Sequence, residues 1–309
     1  METFEFSVEN NLTGSRLDSG LIALGLPLSR RKLRQVIDLG GVFINKRRIK
    51  VASKLISVGD RLVVRYDENA LQLLKKPRQA MCAKDILFMN SKVIVVNKPA
   101  GLPSQPTRSQ AVDHLVTWVK NGLKEIGEDR SPILVHRLDK ETSGCVVLCF
   151  NRGTLAFLTD QFRQRSVAKV YHSLNYGKVN SETWTINNYL KKPDKYGNVR
   201  VTSKVDGRLA TTGFVLKESL GSGISLIESR PITGRTHQIR VHSHCSGIPI
   251  LGDKKYADVS VCAQSVSAPH HMLHARSLTF VVAPGEKKKS FKAPYSPVFR
   301  STMEGLRSN

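Results

Sequence analysis

The chain has 309 residues, 40% hydrophobic and 24% charged, the balance of a folded globular protein with a sizeable core. Lys and Arg total 48 against 25 Asp and Glu, a formal net charge of +23 at pH 7, which predicts a polyanionic partner. No run is long and apolar enough to cross a bilayer, and Met1-Glu-Thr-Phe-Glu5 is acidic where a secretory signal is basic, so nucleic acid is favoured over a membrane surface.

In chain order, Phe4 to Val8 alternates like a strand. Ser15 precedes a helix over Arg16–Leu24, with Asp18 in its first turn and Pro27 beyond its end. Ser29 caps a second helix, Arg30–Leu39, whose Leu33, Val36 and Ile37 share a face and which Gly40-Gly41 closes. Val42 to Ile49 and Asp60 to Arg65 read as strands. From Arg30 to Lys54 this unit carries Arg30, Arg31, Lys32, Arg34, Lys46, Arg47, Arg48, Lys50 and Lys54 against one acid, Asp38. A charge run is usually a solvated face, but these residues start the second helix and fill the turn after the first strand of the pair, so they can converge on one side. Arg-Leu-Asp, Ser-Arg-Arg, Gly-Gly-Val-Phe-Ile-Asn and Val-Gly-Asp, in this order, resemble the small RNA-binding module first known from a small-subunit ribosomal protein. The match departs at Lys46, where that module commonly has glycine.

The expected domains are an RNA-binding module over 1–66, a linker over 67–84 and a catalytic domain over 85–309. In the last, strand-like runs fall at 86–89, 93–96, 133–135, 145–150, 167–176, 199–204, 211–217, 224–229, 278–283 and 290–293, and helix-like patterns at 111–124, 153–165 and 236–246. Many strands with few helices predict an α+β fold: a small α/β module, then a large mixed or antiparallel sheet with flanking helices. Cys82, Cys145, Cys149, Cys245 and Cys262 are odd in number and form no Cys-x-x-Cys pair, as expected of a reduced, cytoplasmic protein. His270 and His274 stand four apart without a His-Glu-x-x-His motif or a thiolate pair nearby, so no metal is expected.

The most informative string is Val135-His-Arg-Leu-Asp-Lys-Glu-Thr-Ser-Gly144. It is a polar loop between the apolar runs 133–135 and 145–150, a rigid mount for one acid, Asp139. An unperturbed Asp, with a pKa of about 3.9, is a carboxylate at neutral pH and can be a nucleophile or a base. By composition alone the loop would be an ordinary turn. The string, however, resembles the signature of the RluA-type pseudouridine synthases. So do Asn97-Lys98-Pro99-Ala-Gly101-Leu-Pro103, Lys169-Val-Tyr171, Pro231-Ile-Thr233-Gly-Arg235-Thr-His-Gln-Ile-Arg-Val-His242, Gly247-Ile-Pro-Ile-Leu-Gly-Asp253-Lys-Lys-Tyr256 and Leu273-His-Ala275. Phe150-Asn151, His270-His271, Ser243 and Cys245 depart from that family's usual residues.

The resemblance implies isomerisation of uridine to pseudouridine in structured RNA, most readily large-subunit ribosomal RNA, with no cofactor. It implies that Asp139 is the catalytic nucleophile or base and that Arg235 pairs with it. The same resemblance implies that Tyr171 packs on the uracil and helps take the proton from its carbon five, that Arg137 fills the gap left by the flipped base, and that His136 shapes the loop. The expected partner is RNA, with no membrane, and the chain is expected to be a monomer. Two other readings stand beside this one: an RNA-binding ribosome-assembly factor with dispensable activity, and a transfer-RNA-modifying synthase.

Overall fold

The computed structural model describes residues 2–38, 41–49, 51–66, 80–106, 113–257 and 268–307. The chain divides into two compact units, Met1–Arg78 and Gln79–Asn309. The expected linker lies outside the described residues over 67–79, and Ala83–Asp85 forms a short helical turn.

The first unit packs helices α1 (Leu17–Ala23) and α2 (Arg30–Asp38) on an antiparallel sheet of β1 (Glu2–Ser7), β2 (Val42–Ile44), β3 (Arg47–Ile49) and β4 (Arg61–Tyr66), in the order β1-β4-β2-β3. Leu17, Leu21, Leu33, Val36, Ile37, Val42, Leu62 and Val64 are its dry core. The first helix starts one residue later than Ser15 implies. Arg16 is its N-cap, and Asp18, instead of capping, takes a two-pronged 2.9 Å contact from the Arg16 guanidinium. The run from Val42 to Ile49 is a hairpin, β2 and β3, joined by Asn45 and Lys46, both at positive φ (48° and 65°). That backbone explains why glycine is usual at Lys46: a side chain there costs about 1 kcal/mol.

In the second unit eleven strands form one mixed sheet. They are β5 (Ile86–Met89), β6 (Val93–Lys98), β7 (Ile133–Leu134), β8 (Ser143–Cys149), β9 (Ala168–Tyr176), β10 (Thr183–Leu190), β11 (Val201–Thr202), β12 (Arg208–Ser219), β13 (Ile224–Pro231), β14 (Leu273–Val281) and β15 (Lys288–Lys292). Their order is β11-β10-β12-β13-β9-β14-β8-β6-β5, with β15 beside β14 and β7 beside β8. The sheet is flanked by α3 (Leu115–Glu125), α4 (Arg152–Arg163), α5 (Gln238–Cys245) and α6 (Pro297–Arg307).

Strand β8 is buried along its whole length, since it is central in the sheet and covered on both faces. Val147 and Leu158 of α4 share one core cluster, and Val146, Leu148 and Leu123 of α3 share another. Each such side chain contributes roughly 1.5–3 kcal/mol by leaving water. Asn151 caps α4 by accepting from the Thr154 N–H at 2.8 Å.

β8 runs parallel to β14, pairing Ser143 with His274 and Gly144 with Ala275. Gly144 has φ +111°, and a Cβ there would sit 2.3 Å from the Ala275 carbonyl oxygen, so only glycine allows this approach. Three departures from the sequence expectations stand out. β10 is a full strand that sequence reading passes over, the run at 199–204 shrinks to Val201–Thr202, and α6 closes the described chain. Among the described residues no helix is long and apolar enough to cross a membrane.

Candidate active site

The β7–β8 loop, strand β9 and the start of α5 enclose a pocket of about 270 Å³, lined by His136, Arg137, Asp139, Tyr171, Arg235 and Arg240 among others. All five site residues singled out in the catalytic domain by sequence therefore meet in one place. The loop that carries Asp139 is held from three directions. Ser104 Oγ donates to the Leu138 carbonyl at 2.7 Å and accepts from the Leu138 N–H at 3.0 Å. The Gly101 N–H donates to the Lys140 carbonyl at 2.9 Å. Thr142 Oγ1 lies 2.9 Å from His271 Nε2, and Ser143 Oγ 2.9 Å from His274 Nδ1.

Lys98, 0% exposed, gives its three ammonium hydrogens to the carbonyls of Pro99, Leu102 and Lys140 at 2.8, 2.8 and 3.0 Å. Burial pulls its pKa down to about 7, against the pull of Glu141 and Asp139. The Asn97–Pro103 turn is thus the bracket under the loop that carries Asp139. His136 accepts from the Val147 N–H at 3.2 Å and stacks on Phe162, and burial followed by the Lys169 charge lowers its pKa to about 3, so it is a neutral brace.

The expected pairing of Arg235 with Asp139 is corrected by the geometry. Arg235 turns its Nε to the Leu209 carbonyl at 3.1 Å. The partner of Asp139 is Arg240, whose Nη1 stands 3.4 Å from Asp139 Oδ2. Arg240 is fixed by a two-pronged bond to Asp253, 2.7 Å on each arm, and its guanidinium lies over the Tyr256 ring at 5.0 Å. A planar fork can serve two carboxylates and an aromatic face together, which a lysine cannot. The physical reason is position: Arg240 faces inward from α5 at the buried edge of the pocket, whereas Arg235 belongs to the turn before it.

His237, just before α5 and at φ +55°, brings Nε2 to 3.7 Å from Asp139 Oδ2. Its Nδ1 is 2.7 Å from the Tyr256 hydroxyl, which also accepts from the Val199 N–H at 2.9 Å. The tautomer with its hydrogen on Nε2 lets Nδ1 accept the hydroxyl proton and turns the ring N–H toward Asp139. Burial keeps the imidazole neutral, while Asp139 works against that shift. Tyr171, on β9, is a phenol whose pKa burial and then Asp139 push well above its ordinary range. A phenol held that firmly protonated suits an apolar platform and is a poor acceptor for a carbon-bound proton.

Sequence reading missed Arg240, His237, Asp253 and Lys98. A signal was present: Arg240 is flanked by Ile239 and Val241, and Asp253 ends an apolar run, so each is a buried charge in need of the other.

The module residues lie in the first unit. Arg30, Lys46 and Arg47 are exposed. Arg34 reaches Asp18 at 3.4 Å, Arg48 lies over the Phe43 ring at 5.5 Å and Lys32 over the Tyr66 ring at 5.7 Å. Lys50 and the side chain of Arg31 lie outside the described residues.

The family model for RNA pseudouridylate synthase matches residues 92–244, and that for the S4 domain matches residues 15–62. The chain is 33% identical over 300 residues to the ribosomal large subunit pseudouridine synthase D of Borreliella burgdorferi, covering 93% of this chain and 87% of that one. This chain belongs to the RluA family of RNA pseudouridine synthases. It is an S4-containing pseudouridine synthase and so an enzyme acting on RNA. Another relative, the ribosomal large subunit pseudouridine synthase C of Vibrio parahaemolyticus, is 28% identical over 97% of this synthase and 95% of its own length. Among solved structures, human RNA pseudouridylate synthase domain containing 4 superposes with a TM-score of 0.58 at 26% identity, over 76% of this chain and 96% of that chain.

Proposed function

We propose that this synthase isomerises a uridine of large-subunit ribosomal RNA, with Asp139 as the group that attacks or deprotonates the ribose. One observation carries the assignment of the acid: Asp139 faces the pocket from a braced loop and meets there the Arg240 guanidinium that Asp253 holds. The ribosomal reading is supported by the names of the synthase C and D relatives and by the basic S4 module. Those relatives are named for the large ribosomal subunit, which favours it over transfer RNA.

The reaction needs a base drawn out of its stack, at a cost of roughly a few kcal/mol, and Arg137, exposed beside Asp139, is placed to fill the space it leaves. The bond from ribose carbon one to uracil nitrogen one breaks, the uracil turns, and carbon five bonds to the same ribose carbon. Carbon five then loses its proton and nitrogen one gains one, so atoms balance and nothing is oxidised. Tyr171 packs on the uracil and holds it while it is detached, and Arg240 and the His237 Nε2–H fix the carboxylate through the turn.

The test is Asp139→Asn in the full chain. It abolishes pseudouridine formation in large-subunit RNA from cells lacking the protein, while RNA binding persists. Pseudouridine at the wild-type yield would exclude Asp139. Full rescue of a deletion strain by the same variant would favour the assembly-factor reading.

A further inference from the structure

With Arg240 serving Asp139 and the buried Asp253, and Arg137 assigned to the gap left by the base, Lys169 and Arg235 are two further cations lining the same pocket. Lys169 lies on β9 two residues before Tyr171, so strand alternation sends both side chains to one face, about 6–7 Å apart along the strand. Lys169 Nζ donates to the Thr233 carbonyl at 3.0 Å, and Arg235 Nε to the Leu209 carbonyl. Among the described residues neither makes an ion pair with a carboxylate, although both are partly buried. Arg165 and Arg208 add charge around them. Arg165 takes the left-handed conformation (φ +59°) just beyond α4, where glycine is the usual residue, and so turns a charged side chain where none is needed to end a helix.

These charges repel one another. Burial first, then Arg165 and Arg235, brings Lys169 down to about 8, and burial, Arg208 and Arg165 lower Arg235. Lys169 and Arg235 share the half-enclosed pocket, Arg165 and Arg208 are exposed near them, and the pocket's carboxylate, Asp139, is paired with Arg240 instead. Resting on the reading that Tyr171 takes the uracil, we propose that Lys169 and Arg235, with Arg165 and Arg208 behind them, form a phosphate subsite for the backbone of the flipped nucleotide. Gripping the phosphate fixes the ribose while its base is detached, so the sugar carbon stays before Asp139 as the uracil turns.

The experiment uses the full chain and large-subunit RNA from cells lacking it. RNA binding is measured against KCl concentration, with single-turnover pseudouridine formation alongside. Lys169→Met and Arg235→Met each keep an apolar stem and lose the charge. Each is expected to raise the half-saturating concentration about tenfold and to lower the slope of log affinity against log salt by about 0.7–0.9, one phosphate's share of released counterions. The saturated rate falls as well, because the ribose is no longer held before Asp139, and Lys169→Arg restores the slope. An unchanged salt slope in both methionine variants, with the rate lost, overturns the subsite and makes these residues supports of the pocket. Because Lys169 also holds Thr233, a circular-dichroism melt accompanies it, and Arg235→Met decides if Lys169→Met does not fold. If the wild-type chain makes no pseudouridine in this RNA while the slope change stands, the substrate reading fails and the subsite does not.

Discussion

Arg240→Met separates what the Arg240 fork does for stability from what it does for catalysis. The side chains of Arg240 and Asp253 are only 8% and 1% exposed, so removing the guanidinium strands a carboxylate in the interior, at a cost of about 3–5 kcal/mol. The same change removes the 3.4 Å contact to Asp139, a charge-assisted bond of about 1.5–3 kcal/mol, which corresponds to a roughly 10- to 100-fold slower single-turnover rate. The two losses come apart in Arg240→Met/Asp253→Asn. Asparagine keeps an acceptor for the Lys255 and Tyr256 N–H groups, 3.0 and 3.3 Å from Asp253 Oδ1, but removes the stranded charge. The double variant should recover at least about 2 kcal/mol in urea unfolding and none of the rate. Recovery of the rate together with stability would refute the claim that Arg240 orients Asp139, since it would show the fork acting only through the fold.

Two further outcomes follow from the frame around the site. Gly144→Ala places a methyl group 2.3 Å from the Ala275 carbonyl oxygen on backbone at φ +111°, so it should cost roughly 3 kcal/mol and lower the thermal midpoint by several degrees; a midpoint within one degree of wild type would show that β8 and β14 can part cheaply. His242, His271 and His274 are buried and held at about 4, against about 6.5 unfolded. Below pH 6.5 the unfolded chain therefore takes up protons the fold refuses, so stability is full above about 6.5 and falls toward pH 4. Each histidine contributes up to about 1.4 kcal/mol per pH unit, and melts at steps from pH 7 to 4.5 should show the fall; a flat profile would mean that these imidazoles charge freely.

Much of the site was legible because its signals are local. A polar loop between β-branched runs marked a rigid mount, and the likeness of its string and of the Lys169–Tyr171 and Pro231–His242 strings to the RluA-type motifs singled out Asp139, Tyr171 and Arg235. What stayed hidden depends on contacts distant in sequence. Arg235 and Arg240 share one motif, and only the fold shows that Arg240 turns toward Asp139, 101 residues earlier. Strand β10 was passed over because Asn187-Asn188 interrupts the Trp184–Ile186 alternation with turn-forming residues, although in the sheet they pair with Thr211 and Ala210. Helix α6 was readable from Phe299, Met303 and Leu306, which line one face, but its polar residues and Gly305 mask that stripe. The start of β14 was obscured by His274, a polar residue that is 0% exposed because Ser143 and the Ala293 carbonyl take both ring nitrogens.

The parallel pairing of β8 with β14 also has a consequence for the order of assembly. Ser143 meets His274 across 131 residues, and Thr142 meets His271 across 129. Contacts of such long span close late, after local hairpins have formed, because the loop entropy is lost before the contact is gained. During synthesis the chain leaves the ribosome N-terminal end first. The S4 module is therefore exposed while the loop bearing Asp139 still lacks its second wall. A nascent chain can hold RNA well before it can modify it, and catalytic competence arrives only once β14 has emerged and docked.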